Sequence, residues 1–285
     1  MRSTRYKKIS LLIIITFLTG CATPSTYTKF VPDTSWENFK TEIVVLNGLQ
    51  IPVFAYTKSD KAPTVVVAHG CDGLKGGSYN DWARMMTLWG YNAVLIDSYA
   101  ARGYPVGICD RASMVIPSER AEDLADLAWW IKQQSWHKGG IAVIGFSAGG
   151  STTLNIASNR DIASRFVATV SYYPACGSNP QRTYPGRDFS VPLIPSLIHF
   201  GGSDDWTPPD LCYPYVQKYE HYTYPNATHG WDIPGPARNL KNVSGPYGRP
   251  IDTVMRYNKI ADQTARQRTR DFLDKALGTN SVPTK

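Results

Sequence analysis

Outside its first eight positions the sequence has no dense block of lysine and arginine, and nowhere has it an apolar run long enough to cross a membrane. The formal charge is +7, from 30 basic and 23 acidic residues, but Arg2, Arg5, Lys7 and Lys8 supply four of those basic groups. The rest of the chain is nearly balanced, which excludes nucleic acid as a partner. The longest leading apolar stretch, Ile9 to Leu18, falls short of a bilayer core of ~30 Å. Cysteine is scarce, at 5 in 285 residues, so a disulfide-dense miniprotein is excluded. There is no P-loop, HExxH, EF-hand or CxxC, so neither a nucleotide cofactor nor a metal is expected. What is present is an apolar fraction of 42%, enough to bury a large core and too much for a disordered tail.

The N-terminus reads as an address. A basic segment, Met1 to Lys8, precedes the ten-residue apolar run, as in a secretory signal. Leu18-Thr19-Gly20-Cys21 then resembles the bacterial lipobox, which implies cleavage after residue 20 and a lipid on Cys21. An ordinary signal peptide with an incidental cysteine is the alternative. Residues 21–39, Pro- and Thr-rich from Thr23 to Trp36, read as a tether. Residues 40–278 read as one domain and 279–285 as a tail. The mature protein is therefore expected in the bacterial cell envelope, lipid-anchored and facing the periplasm or exterior. Four cysteines remain, 71, 109, 176 and 212, and an oxidising compartment suggests two disulfides with three possible connectivities.

Apolar runs bounded by turn residues recur along the domain. Residues 42–47 and 51–57 flank Gly48 as a hairpin, followed by runs at 64–69, 92–97, 141–145, 166–172, 196–200 and 220–224. The later runs are almost continuous in Val, Ile and Ala, as in parallel strands covered on both faces. Helical patterns lie between them: Ser78 to Trp89, Ser118 to Gln134 with Ser118 as N-cap, Ala148 to Ser158, and Tyr257 to Leu277. The alternation predicts an α/β fold with a mostly parallel sheet of about eight strands and helices on both faces. Segments 175–194 and 232–256 lack periodicity and read as loops over the active face.

Gly145-Phe146-Ser147-Ala148-Gly149 matches G-x-S-x-G, with a strand pattern before it and a helix pattern after it. A serine on that sharp turn is lifted above the sheet, and the neighbouring glycines give room for the close approach of strand and helix. A hydroxyl is a poor nucleophile without a base and an orienting acid. The chain order of such folds, serine then acid then histidine, leaves His221 and His229 as bases. His229, in a loop after the last strand, is preferred, and His69, His137 and His199 read as structural. The acid is Asp204, first to turn off the strand end, with Asp205 as the alternative. The oxyanion donors are expected to be the amides of Ala148 and Cys71, with Asp72 as second choice to Cys71.

Together HGCDG, GFSAGG, GGSDDWTPP and ATHGWD resemble the α/β-hydrolase superfamily and, within it, the dienelactone hydrolase family, over residues 40–278. The resemblance implies Ser147 as nucleophile, Asp204 as acid and His229 as base. Bacterial dienelactone hydrolases proper carry cysteine at the elbow; Ser147 points instead to broader carboxyl-ester hydrolysis. The family strand order also implies the pairs Cys71–Cys109 and Cys176–Cys212, the rival being a free Cys71 thiol beside the serine. Tyr99, Tyr104, Tyr172, Tyr173, Trp206 and Trp231 fall in segments expected to ring the active face, each able to serve the pocket or plain packing. Arg102 is placed to meet a substrate carboxylate or to tie its own loop to an aspartate. The reading is a serine hydrolase of small-molecule esters or lactones. A prolyl-oligopeptidase-like peptidase and a non-catalytic binding lipoprotein are the alternatives.

Overall fold

The computed structural model describes residues 30–75, 77–177 and 189–278. The signal segment, Cys21 and the 279–285 tail lie outside the described residues. The sheet begins with β1 (Phe39–Leu46) and β2 (Leu49–Tyr56), joined through Asn47 and Gly48. Both turn residues have positive φ, 48° and 74°, the conformation a two-residue hairpin turn requires and Asn-Gly adopts most easily. Then come β3 (Ala62–Ala68), β4 (Asn92–Ile96), β5 (His137–Phe146), β6 (Ala168–Tyr172), β7 (Ser196–Gly201) and β8 (Glu220–Tyr224). In space the order is β1-β2-β4-β3-β5-β6-β7-β8. β1 and β2 run antiparallel to their neighbours, and the strands from β4 to β8 are parallel.

The continuous apolar runs have a direct cause, visible on β3. Val65 and Val67 pack with Trp82, Met86 and Leu273 on one face of the sheet. Val66 and Ala68 pack with Leu124, Leu127, Ile131 and Ile156 on the other. Both faces are dry, so no position alternates to polar. The first face is covered by α1 (Tyr79–Leu88) and α4 (Lys259–Leu277), the second by α2 (Pro117–Lys132) and α3 (Ala148–Ser158). Each fully buried valine or leucine contributes on the order of 1.5–3 kcal/mol.

Three expectations are corrected. Helix α2 is capped at Ile116, with Pro117 as its first residue, and Ser118 is not its N-cap. Proline has no amide to satisfy in the first turn, and the Glu119 carboxylate accepts the Ile116 N–H at 2.9 Å. The 232–256 segment is no mere loop. It holds a separate antiparallel hairpin, β9 (Arg238–Ser244) and β10 (Pro250–Met255), whose mostly exposed or half-buried positions hide the two-residue period. From residue 30 onward the stretch read as a tether is bound to the domain. Phe30 packs on Phe54, the Asp33 amide donates to the Tyr56 hydroxyl, and Trp36 Nε1 donates to the Thr57 carbonyl. No helix among the described residues is long and apolar enough to cross a membrane.

Candidate active site

The elbow between β5 and α3 puts Ser147 at φ 52°, ψ −115°, a strained conformation for a residue with a side chain. Packing enforces it. A Cβ on Gly149 would lie 2.1 Å from the Ala68 carbonyl oxygen, and one on Gly145 would lie 2.1 Å from that of Gly149. The Ser147 amide is held by the Tyr172 carbonyl at 2.9 Å.

Two further strand ends supply its partners. His229, in the loop after β8, has Nε2 2.9 Å from Ser147 Oγ. Its Nδ1 lies 2.8 Å from Asp204 Oδ2, just beyond β7. The other carboxylate oxygen accepts the amides of Trp206 and Thr207 at 3.0 and 2.8 Å. Burial alone would raise the Asp204 carboxyl; the His229 charge and these hydrogen bonds outweigh it and hold the group below its ordinary range. Asp205, the alternative acid, points elsewhere and accepts a hydrogen bond from Thr253.

Thr207 was not foreseen. Its hydroxyl donates to Asp204 Oδ2 at 2.8 Å and lies 3.1 Å from both His229 Nδ1 and the Tyr173 carbonyl oxygen. Its only signal in the sequence is its place three residues after Asp204. The Trp206 and Tyr173 rings each sit 4.6 Å from the imidazole and wall it in. Tyr173 is in turn anchored by its hydroxyl to Asp232, which also accepts from Trp82 Nε1.

Ser147 opens into a cavity of about 540 Å³, whose lining includes Cys71, Ala148, Val115, Trp206, Leu211 and Tyr247. Among the described residues, the amides of Cys71 and Ala148 donate to no protein acceptor. The Cys71 loop is fixed on several sides. A disulfide joins Cys71 to Cys109, and a second joins Cys176 to Cys212, the pairings the strand order implied. Ile108 N donates to the Cys71 carbonyl at 2.7 Å, an approach that Gly107 permits, since a Cβ there would lie 2.5 Å from the same oxygen. Beside it, burial pushes the Asp72 carboxyl up to about 6, against the pull of Arg238 and His229. A larger cleft of about 710 Å³ lies at the opposite edge of the sheet, near Ser196, Tyr222 and Arg268, and no histidine lines it.

Of the residues proposed for substrate contact, Trp206 lines the cavity and four do not. Tyr99 is fully buried edge-on against His69. Tyr172 and Trp231 are fully buried with Trp82 and Phe146, and the Tyr172 hydroxyl meets Thr269. Aromatic rings near strand ends were drawn into the core because few other side chains bury as much apolar area. Arg102 grips Asp123 with both Nη atoms, at 2.8 and 3.0 Å, and so ties its loop to α2. Tyr104 likewise is absent from the lining and has the Arg111 guanidinium over its ring. No group of three or more His, Cys, Asp or Glu among the described residues is placed to hold a metal.

Solved structures share this architecture. A proposed dienelactone hydrolase from Klebsiella pneumoniae subsp. pneumoniae is 18% identical with a TM-score of 0.65, the match covering 85% of this chain and 98% of the other. Est1E from Butyrivibrio proteoclasticus, solved with ferulic acid bound, is 15% identical at a TM-score of 0.60, covering 84% and 100%. MGS-M1, an α/β hydrolase from a Medee basin deep-sea metagenome, is 20% identical at 0.58, covering 85% and 98%. No curated protein sequence matches. The family model of the dienelactone hydrolases does, over residues 51–277. The chain therefore belongs to the dienelactone hydrolase family, within the α/β-hydrolase fold, and is a hydrolase.

Proposed function

We propose that the chain is a carboxylic ester hydrolase acting on esters or lactones through Ser147, His229 and Asp204. The carrying observation is the unbroken hydrogen-bonded line from Ser147 Oγ through the imidazole to Asp204, opening on a cavity. Ser147 Oγ attacks the carbonyl carbon while His229 Nε2 takes its proton, and Asp204 holds Nδ1–H and steadies the imidazolium. The tetrahedral oxyanion meets the amides of Ala148 and Cys71, donors of a kind each worth roughly 10²–10³ in rate. The intermediate collapses, His229 protonates the departing alkoxide, and water activated by the same imidazole releases the acid. The family's name and, among similar folds, Thermogutta terrifontis esterase 2 support this choice of bond.

We also propose that Cys21 carries a lipid that holds the enzyme in the cell envelope. The basic and apolar leader and Leu18-Thr19-Gly20-Cys21 support this, and so do two disulfides, which persist in oxidising compartments. The test of the activity uses protein lacking residues 1–21 with p-nitrophenyl acetate and butyrate. Turnover is expected, with labelling by a fluorophosphonate probe, and Ser147→Ala should remove both while keeping the wild-type circular dichroism. A labelled protein that cleaves only peptides is instead the peptidase. An intact, unlabelled protein is a binding lipoprotein.

A further inference from the structure

A charged side chain is buried in the cavity wall. Arg120, on the first turn of α2, is 1% exposed, and among the described residues it makes no ion pair. Its Nη2 donates to the His69 carbonyl oxygen at 2.7 Å, its Nη1 reaches the Tyr99 hydroxyl at 3.4 Å, and its Nε has no partner. The Tyr99 ring lies 4.9 Å from the guanidinium carbon. The nearest acids are otherwise engaged: Asp123 by Arg102, and Asp97 by the amides of Tyr99 and Ala100. Burying a cation without an ion pair is costly, so its position calls for an account.

His69 is the residue that opens the HGCDG loop. Its Nε2 accepts the Ser98 amide at 3.2 Å, which leaves the proton on Nδ1 to be donated to the Gly70 carbonyl at 2.8 Å. Burial, together with the Arg120 charge, keeps this imidazole neutral far below its ordinary range. The Gly70 amide is held by the Tyr79 hydroxyl at 2.7 Å. Arg120 thus grips the carbonyl two residues before the Cys71 amide, and it lines the same cavity as Cys71, Ser147 and Ala148.

We infer that Arg120 is a positioning residue for the oxyanion: it fixes the loop that presents the Cys71 amide, and its charge, in direct contact with no carboxylate, favours the anionic tetrahedral state. At 1% exposure and with Nη2 committed to the His69 carbonyl, the guanidinium acts through that carbonyl and through its field, which a buried site screens weakly. This inference rests on the hydrolase reading.

The experiment compares wild type, Arg120→Lys and Arg120→Gln for kcat and KM on p-nitrophenyl butyrate. It also compares their affinity for an alkyl boronic acid, which becomes an anionic tetrahedral adduct on serine, with that for neutral butyramide. The Gln variant should lose about 10²-fold in kcat and a similar factor in boronate affinity, with KM and butyramide binding within about twofold. The Lys variant, keeping the charge but not the fork, should recover about tenfold of that loss. Equal losses in Lys and Gln would overturn the charge, and a change confined to KM, or unchanged boronate affinity, would overturn the role. If the Gln variant does not fold, the parallel fall of kcat and boronate affinity in the Lys variant alone decides. A wild-type protein that hydrolyses no ester refutes the underlying reading, not this residue's role.

Discussion

His199 shows how one side chain carries both packing and pH response. It is buried in β7 with Tyr224 on Nδ1 at 2.9 Å and Thr269 on Nε2 at 3.0 Å, and burial, helped by Arg268, lowers it to about 3. In the unfolded chain it takes a proton near 6.5. Between those values the unfolded state binds the extra proton, so stability falls as pH drops through that window. His69 acts in the same sense, and Asp204 adds its loss lower still, as pH falls below the ordinary carboxylate range. Asp72 works against them, since its raised carboxyl takes a proton in the folded state first and so favours folding as pH falls from about 6 to 4. Within the pH 7 to 4 slope of the melting temperature, His199 should contribute a loss on the order of 4 kcal/mol. His199→Gln should flatten that slope; a slope unchanged by the substitution would show that protonation elsewhere governs it. At this scale the meeting of Ser147 with His229 at 2.9 Å was readable, because a glycine-flanked serine and a histidine after the last strand fall at the same edge of such a sheet. The sequence was unreadable where a ring or a cation serves either core or cavity, as at Tyr99, Tyr172, Trp231 and Arg120.

The strand–turn–helix element of the elbow depends on atoms its glycines lack. Gly149→Ala would drive a Cβ to 2.1 Å from the Ala68 backbone oxygen, and no flexible side chain is there to yield. We expect a loss of several kcal/mol or failure to fold, read from urea midpoints or soluble yield. Gly48→Ala meets nothing within 4 Å and bears only its positive φ, so it should lose about 1 kcal/mol. Comparable midpoints for the two would refute the packing argument. The elements themselves were legible when their faces were uniform, as in the parallel strands. The β9–β10 hairpin was not, because its pattern reflects a local sheet with little burial.

Over the whole molecule, the two disulfides flank the cavity, through Cys71, Cys109 and Cys176 in its lining. They close loops with sequence separations of 38 and 36, each worth roughly 4 kcal/mol by loop-closure entropy. Reduction should lower the melting temperature by about 10 °C per bridge. Replacing Cys71 and Cys109 by serine should also slow ester turnover more than replacing Cys176 and Cys212, because the first pair braces the HGCDG loop. Equal turnover in both double variants would place that bracing elsewhere.

By itself the sequence determined the mostly parallel sheet and the elbow, because strand periodicity and a glycine-flanked serine are local properties. Only the tertiary structure decided which aspartate faces His229, which aromatics are core and what Arg102 grips. Those choices turn on distances between strand ends and loops far apart in the chain, set by how the helices pack onto the sheet.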